Sequence, residues 1–188
     1  NKQPMTKKYI VQNNFFLGRY CTNLDVETYL NSVVGSEMPK SWPMEALKAQ
    51  AVASRTYALR QKGKKGHFDI KANEASQVYL GIESETAKTI NAVQSTHSLV
   101  LSYKGKLINA VFHSSSGGFT ESSGDVWKKQ EPYLIGVVDF DHNSPVRQWR
   151  VSFEPDELRR VFKETKGVTS IDVISKTKTG RIRTAKVT

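Results

Sequence analysis

The sequence predicts an α+β fold in which a helical segment packs with antiparallel β-hairpins. Three observations carry this reading. Apolar residues recur at helical spacing in the first half of the chain, and alternating stretches split by glycine turns occupy the second half. The composition, 38% hydrophobic with 10% aromatic residues over 188 positions, supplies enough apolar material for a packed interior. Helices that precede hairpins, rather than alternate with strands, indicate α+β. The length fits one domain, 1–188, with a division into two lobes foreseen at 20–98, mainly helical, and 99–188, mixed β and α.

The first helix is expected in "LDVETYLNSVV", where Val26, Tyr29, Leu30, Val33 and Val34 share one face, Asp25 caps the start and Gly35 marks the end. A second helix is expected to open at Ser41, Trp42 and Pro43, since proline suits a first turn, and to run to about Lys62. Its alanines at 46, 49, 51, 53 and 58 permit close approach of another backbone and place it at the centre of the core. "RQKGKKGH", 60–67, reads as an exposed loop. Ser84 is positioned to cap a third helix over "ETAKTINAVQST", with Ala87, Ile90 and Val93 inward. "LVLSYKGKLINAVFH" reads as a hairpin turning at Lys104 and Gly105, its second strand delivering His113 to a polar loop. "PDELRRVFKET" is expected to be helical with Leu158, Val161 and Phe162 inward. "IDVISKTKTGRIRTAKVT" alternates as a hairpin that turns near Thr179 and Gly180.

Charge and cysteine usage narrow the classes of function. Lys+Arg 28 against Asp+Glu 18 gives +10, which favours anionic partners such as cell-wall polymers, anionic lipid surfaces or nucleic acid. Cys21 is alone, which excludes an intrachain disulfide and a cysteine-based metal site. No run of 18 or more apolar residues occurs, and Asn1 to Thr6 contain no apolar signal core. The start at Asn1 reads as a trimmed chain whose targeting segment has been removed. The C-terminal hairpin reads as cut short, with residues expected beyond Thr188.

Two stretches invite a functional question. In "VVGSEMPKSWP", 33–43, Glu37 lies between a glycine and a proline, with an apolar run on one side and Trp42 on the other; read locally, it is a solvated residue in an inter-helix loop. "HSSSGGFTESSGDVW", 113–127, is polar, glycine-rich and flanked by aromatics, as binding loops on rigid scaffolds are. His113 beside Ser114, Ser115 and Ser116 raises a nucleophilic serine, with the glycines as oxyanion donors. Neighbours on one strand rarely reach triad geometry, however, and no GxSxG elbow is present. Sugar binding through His113, Ser114, Ser116, Gly117 and Gly118 is the favoured reading of this loop.

"LDVETYLNSVVGSEMPKSWPMEALKAQAVASRTYAL", then "SQVYLG", then "HSSSGGFT" followed by "VW" and "PYL", closely resemble the SpoIID/LytB family, comprising stage II sporulation protein D and relatives described as amidase enhancers. The resemblance spans about 20–165, in order. It implies an extracytoplasmic lytic transglycosylase acting on peptidoglycan glycan strands, in sporulation members on strands stripped of stem peptides. It also implies Glu37 as the single general acid and base, with Val34, Met38 and Trp42 as the apolar wall that keeps it protonated. Gly35 and Pro39 are expected to hold Glu37 in a cleft, off any helix face. Tyr133 in "PYL" is the candidate catalytic partner, and Gln77 in "SQVYLG" is a candidate substrate contact. Gln50 and Arg55 match "AQAVAxRTYA"; either they face the cleft or they are structural, Arg55 bonding carbonyls or a carboxylate.

No cofactor is expected. One branch of the family carries a His/Cys zinc cluster before "QVY"; here "GHFDIKANEASQVY" keeps His67 and Asp69 but lacks cysteine, so no structural zinc is expected. The implied partners are glycan strands and a cell-wall amidase, with membrane contact only through the removed N-terminal segment. Two other readings stay open. One is a non-catalytic peptidoglycan-binding protein that activates an N-acetylmuramoyl-L-alanine amidase. The other, a nucleic-acid-binding domain, has charge alone behind it, since no recognition motif accompanies the basic residues.

Overall fold

A computed structural model describes residues 8–15, 18–63 and 69–188, and the chain divides into two units, Asn1–Phe112 and His113–Thr188. The architecture is α+β. In the first unit, strands β1 (Lys8–Phe15) and β2 (Gly18–Asp25) form an antiparallel hairpin that local alternation does not announce. A two-residue strand, β3 (Ile70–Lys71), adds to β1 in parallel with Val11 opposite Ile70. Ile70 is fully buried and ties this small sheet to the helical core. His67 and the second half of the basic 60–67 stretch lie outside the described residues.

Helix α1 (Val26–Glu37) starts where expected, because the Asp25 carboxylate accepts from the amides of Glu27 (3.1 Å) and Thr28 (3.0 Å). Such a cap stabilises a helix by about 1 kcal/mol. Burial pushes this carboxyl up, but the bonds from Thr28 and Glu27 outweigh it and hold it below its ordinary range. Tyr29, Leu30, Val33 and Val34 are fully buried, each aliphatic side chain contributing about 1.5–3 kcal/mol.

The helix does not end at Gly35. It continues to Glu37 and stops because Pro39 forces Met38 into extended backbone, φ −131°, ψ 144°. Gly35 serves a contact instead: a Cβ there would lie 2.0 Å from the Ser84 carbonyl oxygen. Gly35→Ala must therefore push two backbones apart, and we expect a loss of about 1–3 kcal/mol, read as a lower urea midpoint at unchanged m-value.

Helix α2 (Met44–Gln61) follows a turn closed by the Trp42 amide on the Pro39 carbonyl (3.0 Å), with Pro43 at the N-cap rather than inside the first turn. Its buried stripe is Leu47, Ala51, Ser54, Arg55 and Ala58, so two of the five alanines make the close helix contact. Helix α3 (Ala87–Ser95) is capped by Thr86, not Ser84, through a capping box with Thr89. Thr89, Ala92 and Val93 point inward while Ala87 is exposed. Ser84 belongs to a 3-10 turn, Ile82–Ser84, that lies on α1.

The next hairpin is short: β4 (Ser102–Tyr103) and β5 (Lys106–Leu107) flank Lys104 and Gly105, both at positive φ, 48° and 73°. That pair of left-handed residues is the turn that suits a twisted two-residue loop. The expected long second strand is absent: after Leu107 the Ile108 amide still donates to the Leu101 carbonyl (3.2 Å), and the chain then reaches His113 outside any strand. The division between units falls after this hairpin, later than 98/99, because the hairpin is bonded to α2. Arg60 Nη1 donates to the Leu107 carbonyl (2.6 Å), and the Leu101 amide donates to Thr56 Oγ1 (2.9 Å).

The second unit contains two short helices, α4 (Ser123–Trp127) and α5 (Pro155–Val161), and one hairpin, β6 (Ile171–Lys176) with β7 (Ile182–Val187). Helix α5 opens on a capping box between Glu154 and Glu157. Leu158 and Phe162 are half-buried, but Val161 is 70% exposed, against expectation, because the helix ends there and Phe162 leaves it at ψ 65°. The two strands of the hairpin pair from Lys176↔Ile182 to Ile171↔Val187, with a register irregularity around Ser175. Among the described residues no helix is long and apolar enough to cross a membrane.

Candidate active site

Glu37 is the final residue of α1, half-buried, not a loop residue held off a helix. Its Oε1 accepts the Val78 amide at 2.6 Å. Burial pushes the carboxyl up from its ordinary value, the Val78 bond partly offsets this, and the negative charge of Glu74 adds to the rise. The helix C-terminus, where carbonyl dipoles point outward, also disfavours a carboxylate. Of the foreseen wall, Val34 is fully buried and Met38 packs on the core, whereas Trp42 is 46% exposed.

The segment that carries Val78, "SQVYLG", is strapped to the helices by buried polar groups. Gln77 is fully buried; its Oε1 accepts the Tyr29 hydroxyl (3.1 Å) and its Nε2 donates to the Ser54 carbonyl (3.4 Å). The Gly81 amide donates to Ser32 Oγ (2.9 Å), which lies 2.7 Å from Ser84 Oγ. Just after the segment, the Glu83 carbonyl accepts from Lys40 (3.3 Å), and Lys88 donates to the Ser41 carbonyl (3.4 Å). A strap satisfied at each buried polar group is rigid, because any shift leaves a donor or acceptor unpaired at about 1–3 kcal/mol. From the sequence Tyr29 reads only as a core residue, Ser84 only as a helix cap, and Ser32 carries no signal; their part in the strap rests on bonds between residues 48 to 52 positions apart.

Arg55 displays the structural alternative. It is 1% exposed, donates through Nε (2.9 Å) and Nη2 (2.7 Å) to the two Glu27 oxygens, and bonds the carbonyls of Val93 and Leu99. It joins α1, α2 and the end of α3. Arg55 and Gln77 are both sealed from solvent, so neither side chain can touch a sugar and each acts on the frame of the site. Gln50 is half-buried and donates to Ser54 Oγ (2.9 Å), beside the carbonyl that Gln77 uses.

The remaining candidates lie in the second unit. The Ser/Gly loop folds around a carboxylate that sequence reading passed over: Asp141 Oδ2 accepts the amides of Ser116 (2.9 Å) and Gly117 (2.7 Å) and the Ser115 hydroxyl. Those donors, led by the Ser115 hydroxyl, hold the Asp141 carboxyl below its usual range. Ser116 Oγ donates to Asp139 (2.6 Å), so the hydroxyls of Ser115 and Ser116 are committed to carboxylates, an arrangement unlike a nucleophile and its base. Gly117 and Gly118 hold φ values of 72° and 109°, open to glycine at low cost. Arg181 secures the other side, donating to the carbonyls of Ser116 and Phe119 (2.7 Å to the latter). His113 and Ser114 are exposed, Gly118 is buried, and Tyr133 is half-buried in a turn.

Two further carboxylates in this unit are engaged otherwise. The Thr179 hydroxyl, with Thr177, the Ser122 amide and Arg181, holds the Glu121 carboxyl low, and Asp125 pairs with Arg183 at 2.6 Å. No group of three or more metal-ligating side chains occurs among the described residues.

The Glu37 carboxyl, raised at a helix end and held by a backbone amide on a buried polar strap, marks the candidate site of the first unit. Residues 19–103, the part that builds it, match the family described as Stage II sporulation protein, SpoIID. The chain belongs to the SpoIID/LytB family. It is 41% identical over 129 residues to the Amidase enhancer of Bacillus subtilis, covering 69% of this chain and 17% of that protein. It is 38% identical over 138 residues to an uncharacterized protein of Brachyspira hyodysenteriae, 72% of this chain and 38% of that one. It is 33% identical over 156 residues to Stage II sporulation protein D of Bacillus subtilis, 73% of this chain and 46% of that one. The chain thus spans less than half the length of each of these relatives.

Proposed function

We propose that this domain is a peptidoglycan lytic transglycosylase that cleaves the MurNAc–GlcNAc bond with Glu37 as its only acid and base, on strands that lack stem peptides. The observation behind this is the Glu37 carboxyl, raised by burial yet still fixed by the Val78 amide. With Oε1 accepting from that amide, Oε2 carries the proton. The proton passes to the leaving GlcNAc O4 as the C1–O4 bond breaks and an oxocarbenium-like centre develops. The C6 hydroxyl of the same muramic residue then attacks C1, and its proton returns to Glu37, which restores the acid. Because attack is intramolecular, with effective molarities of about 10⁵–10⁸ M, no second carboxylate is needed to position water. The amide stabilises the carboxylate that exists between the two proton transfers.

In this reading His113, Ser114, Ser116, Gly117 and Gly118 form a glycan-binding loop of the second unit, fixed by Asp141, with His113, Ser114 and Gly117 as its exposed members. Tyr133 contributes a sugar contact within the second unit, and Gln50 a substrate contact within the first. Arg55 and Gln77 support the frame. The reaction needs no cofactor, and its place is extracytoplasmic, at the cell wall. The test is the product. Amidase-treated glycan strands should yield 1,6-anhydromuramic ends, one water lighter than hydrolytic ends, and intact strands should not; reducing muramic ends would replace this mechanism with a water-using one.

A second reading draws on the relative named Amidase enhancer. It makes the domain a non-catalytic peptidoglycan-binding activator of an N-acetylmuramoyl-L-alanine amidase. Absence of cleavage on both substrates, together with a faster amidase in its presence, would favour that reading.

A further inference from the structure

We infer that Tyr29 is a positioning residue for Glu37, because it fixes both neighbours of Val78, whose amide holds the Glu37 carboxyl. The inference deepens the proposed function and takes from it that Glu37 is the acid. Tyr29 is fully buried on α1, the helix that ends at Glu37, so residue and acid share one rigid element about two turns apart. Its hydroxyl donates to Gln77 Oε1 at 3.1 Å. Its ring stacks on Tyr79, with centroids 5.6 Å apart and planes 16° from parallel. Between these two contacts sits Val78, donating at 2.6 Å. Gln77 passes the constraint on to α2 through the Ser54 carbonyl.

The physical reason for such a clamp lies in how steeply a hydrogen bond depends on angle and distance. A backbone amide cannot rotate to follow a carboxyl, so its aim is set by the residues on either side of it. If the 77–79 strap drifts, the amide and the carboxyl each turn to water. The proton is then no longer confined to Oε2, and displacements of about 1 Å can cost about 100-fold in rate. The phenol suits this role: burial, with the Glu37 charge beside it, pushes the Tyr29 hydroxyl well above its usual value, so it remains a donor while Glu37 cycles. The Glu74 carboxylate, ahead of the strap, is the charge that acts on Glu37, and Glu37 in turn acts on this phenol.

The decisive variant is Tyr29→Phe, which keeps ring, volume and stack and deletes only the bond to Gln77. Gln77→Met cuts the same bond from the other side. Carbon-13 NMR of the labelled Glu37 carboxyl against pH reads the clamp whether or not the protein cleaves glycan. With the amide bond weakened, the Glu37 midpoint should rise by about half a pH unit or more, since that bond favours the ionised form. On glycan strands, kcat should fall about tenfold with KM within about twofold. A folded Tyr29→Phe protein with the wild-type Glu37 midpoint would overturn the inference, as would failure of both variants to fold, which would make Tyr29 a core residue and nothing more. Wild-type protein that cleaves no glycan while the midpoint still moves would overturn the enzyme reading alone and leave the clamp standing.

Discussion

Glu37→Gln retains the Val78 hydrogen bond and the shape of the side chain but removes the transferable proton, so turnover on glycan strands should fall by about 100-fold or more. Binding to insoluble wall material should survive, because charge and size at that position change little for a neutral acid replaced by a neutral amide. The pH dependence follows from the same carboxyl. The acid form starts the reaction, so kcat/KM should decline as pH rises through a midpoint above the ordinary carboxylate value, the direction that burial imposes. Stability carries the same sign: with the folded pKa above the unfolded one, the contribution of Glu37 is present at low pH and lost as pH rises through the folded value. Above that midpoint Glu37→Gln should therefore melt no lower than wild type. Full turnover by Glu37→Gln, scored as anhydromuramic ends per enzyme, would end the single-acid mechanism. The alternatives are poor ones, since Glu121 is held ionised by its threonine and arginine partners and Asp125 is engaged by Arg183 at 2.6 Å.

Arg55→Leu should lower stability by about 3–5 kcal/mol, the usual cost of stripping one partner from a buried ion pair. The guanidinium is 1% exposed and serves the Glu27 carboxylate and the carbonyls of Val93 and Leu99 together, so its loss orphans groups on three elements. For a chain of this size the thermal midpoint should drop by roughly 10 °C or more. Adding Glu27→Leu should recover part of the loss by removing the uncompensated carboxylate, a coupling that thermal melts of the two single variants and the double variant measure directly. Additive effects would show that the pair contributes packing alone.

These outcomes depend on bonds that local sequence carries unevenly. The periodicity of Tyr29, Leu30, Val33 and Val34 and the cap at Asp25 were legible because both operate within a few residues. The purpose of Gly35 was not. A glycine after an apolar helical run ordinarily marks a helix end, and only the Ser84 carbonyl, 49 positions on, shows that it clears space inside the helix. Glu37 stood out as a candidate, but its environment comes from Val78, 41 residues away. Arg55 could be narrowed to two roles and no further until its burial was known. The β1–β2 hairpin escaped notice because "KYIVQNNF" and "GRYCTNLD" mix strand formers with asparagine and aspartate, which depress strand propensity and blur alternation. Asp141 escaped for the opposite reason: an acid in "DFDH" carries no local signal, and its three donors come from a loop about 25 residues upstream.

The Ser/Gly loop has a consequence in time. Its inner side waits on Asp141, and its outer side on Arg181, 65 residues after Ser116. The Glu37 strap, by contrast, is complete once Val78 and Ser84 have been made. During synthesis, which releases the chain from its N-terminus, the acid and its strap can therefore assemble while the loop is still unshaped. The loop should set only after the β7 hairpin has emerged, so a ribosome-stalled chain ending before residue 181 would carry an ordered acid and an unset loop.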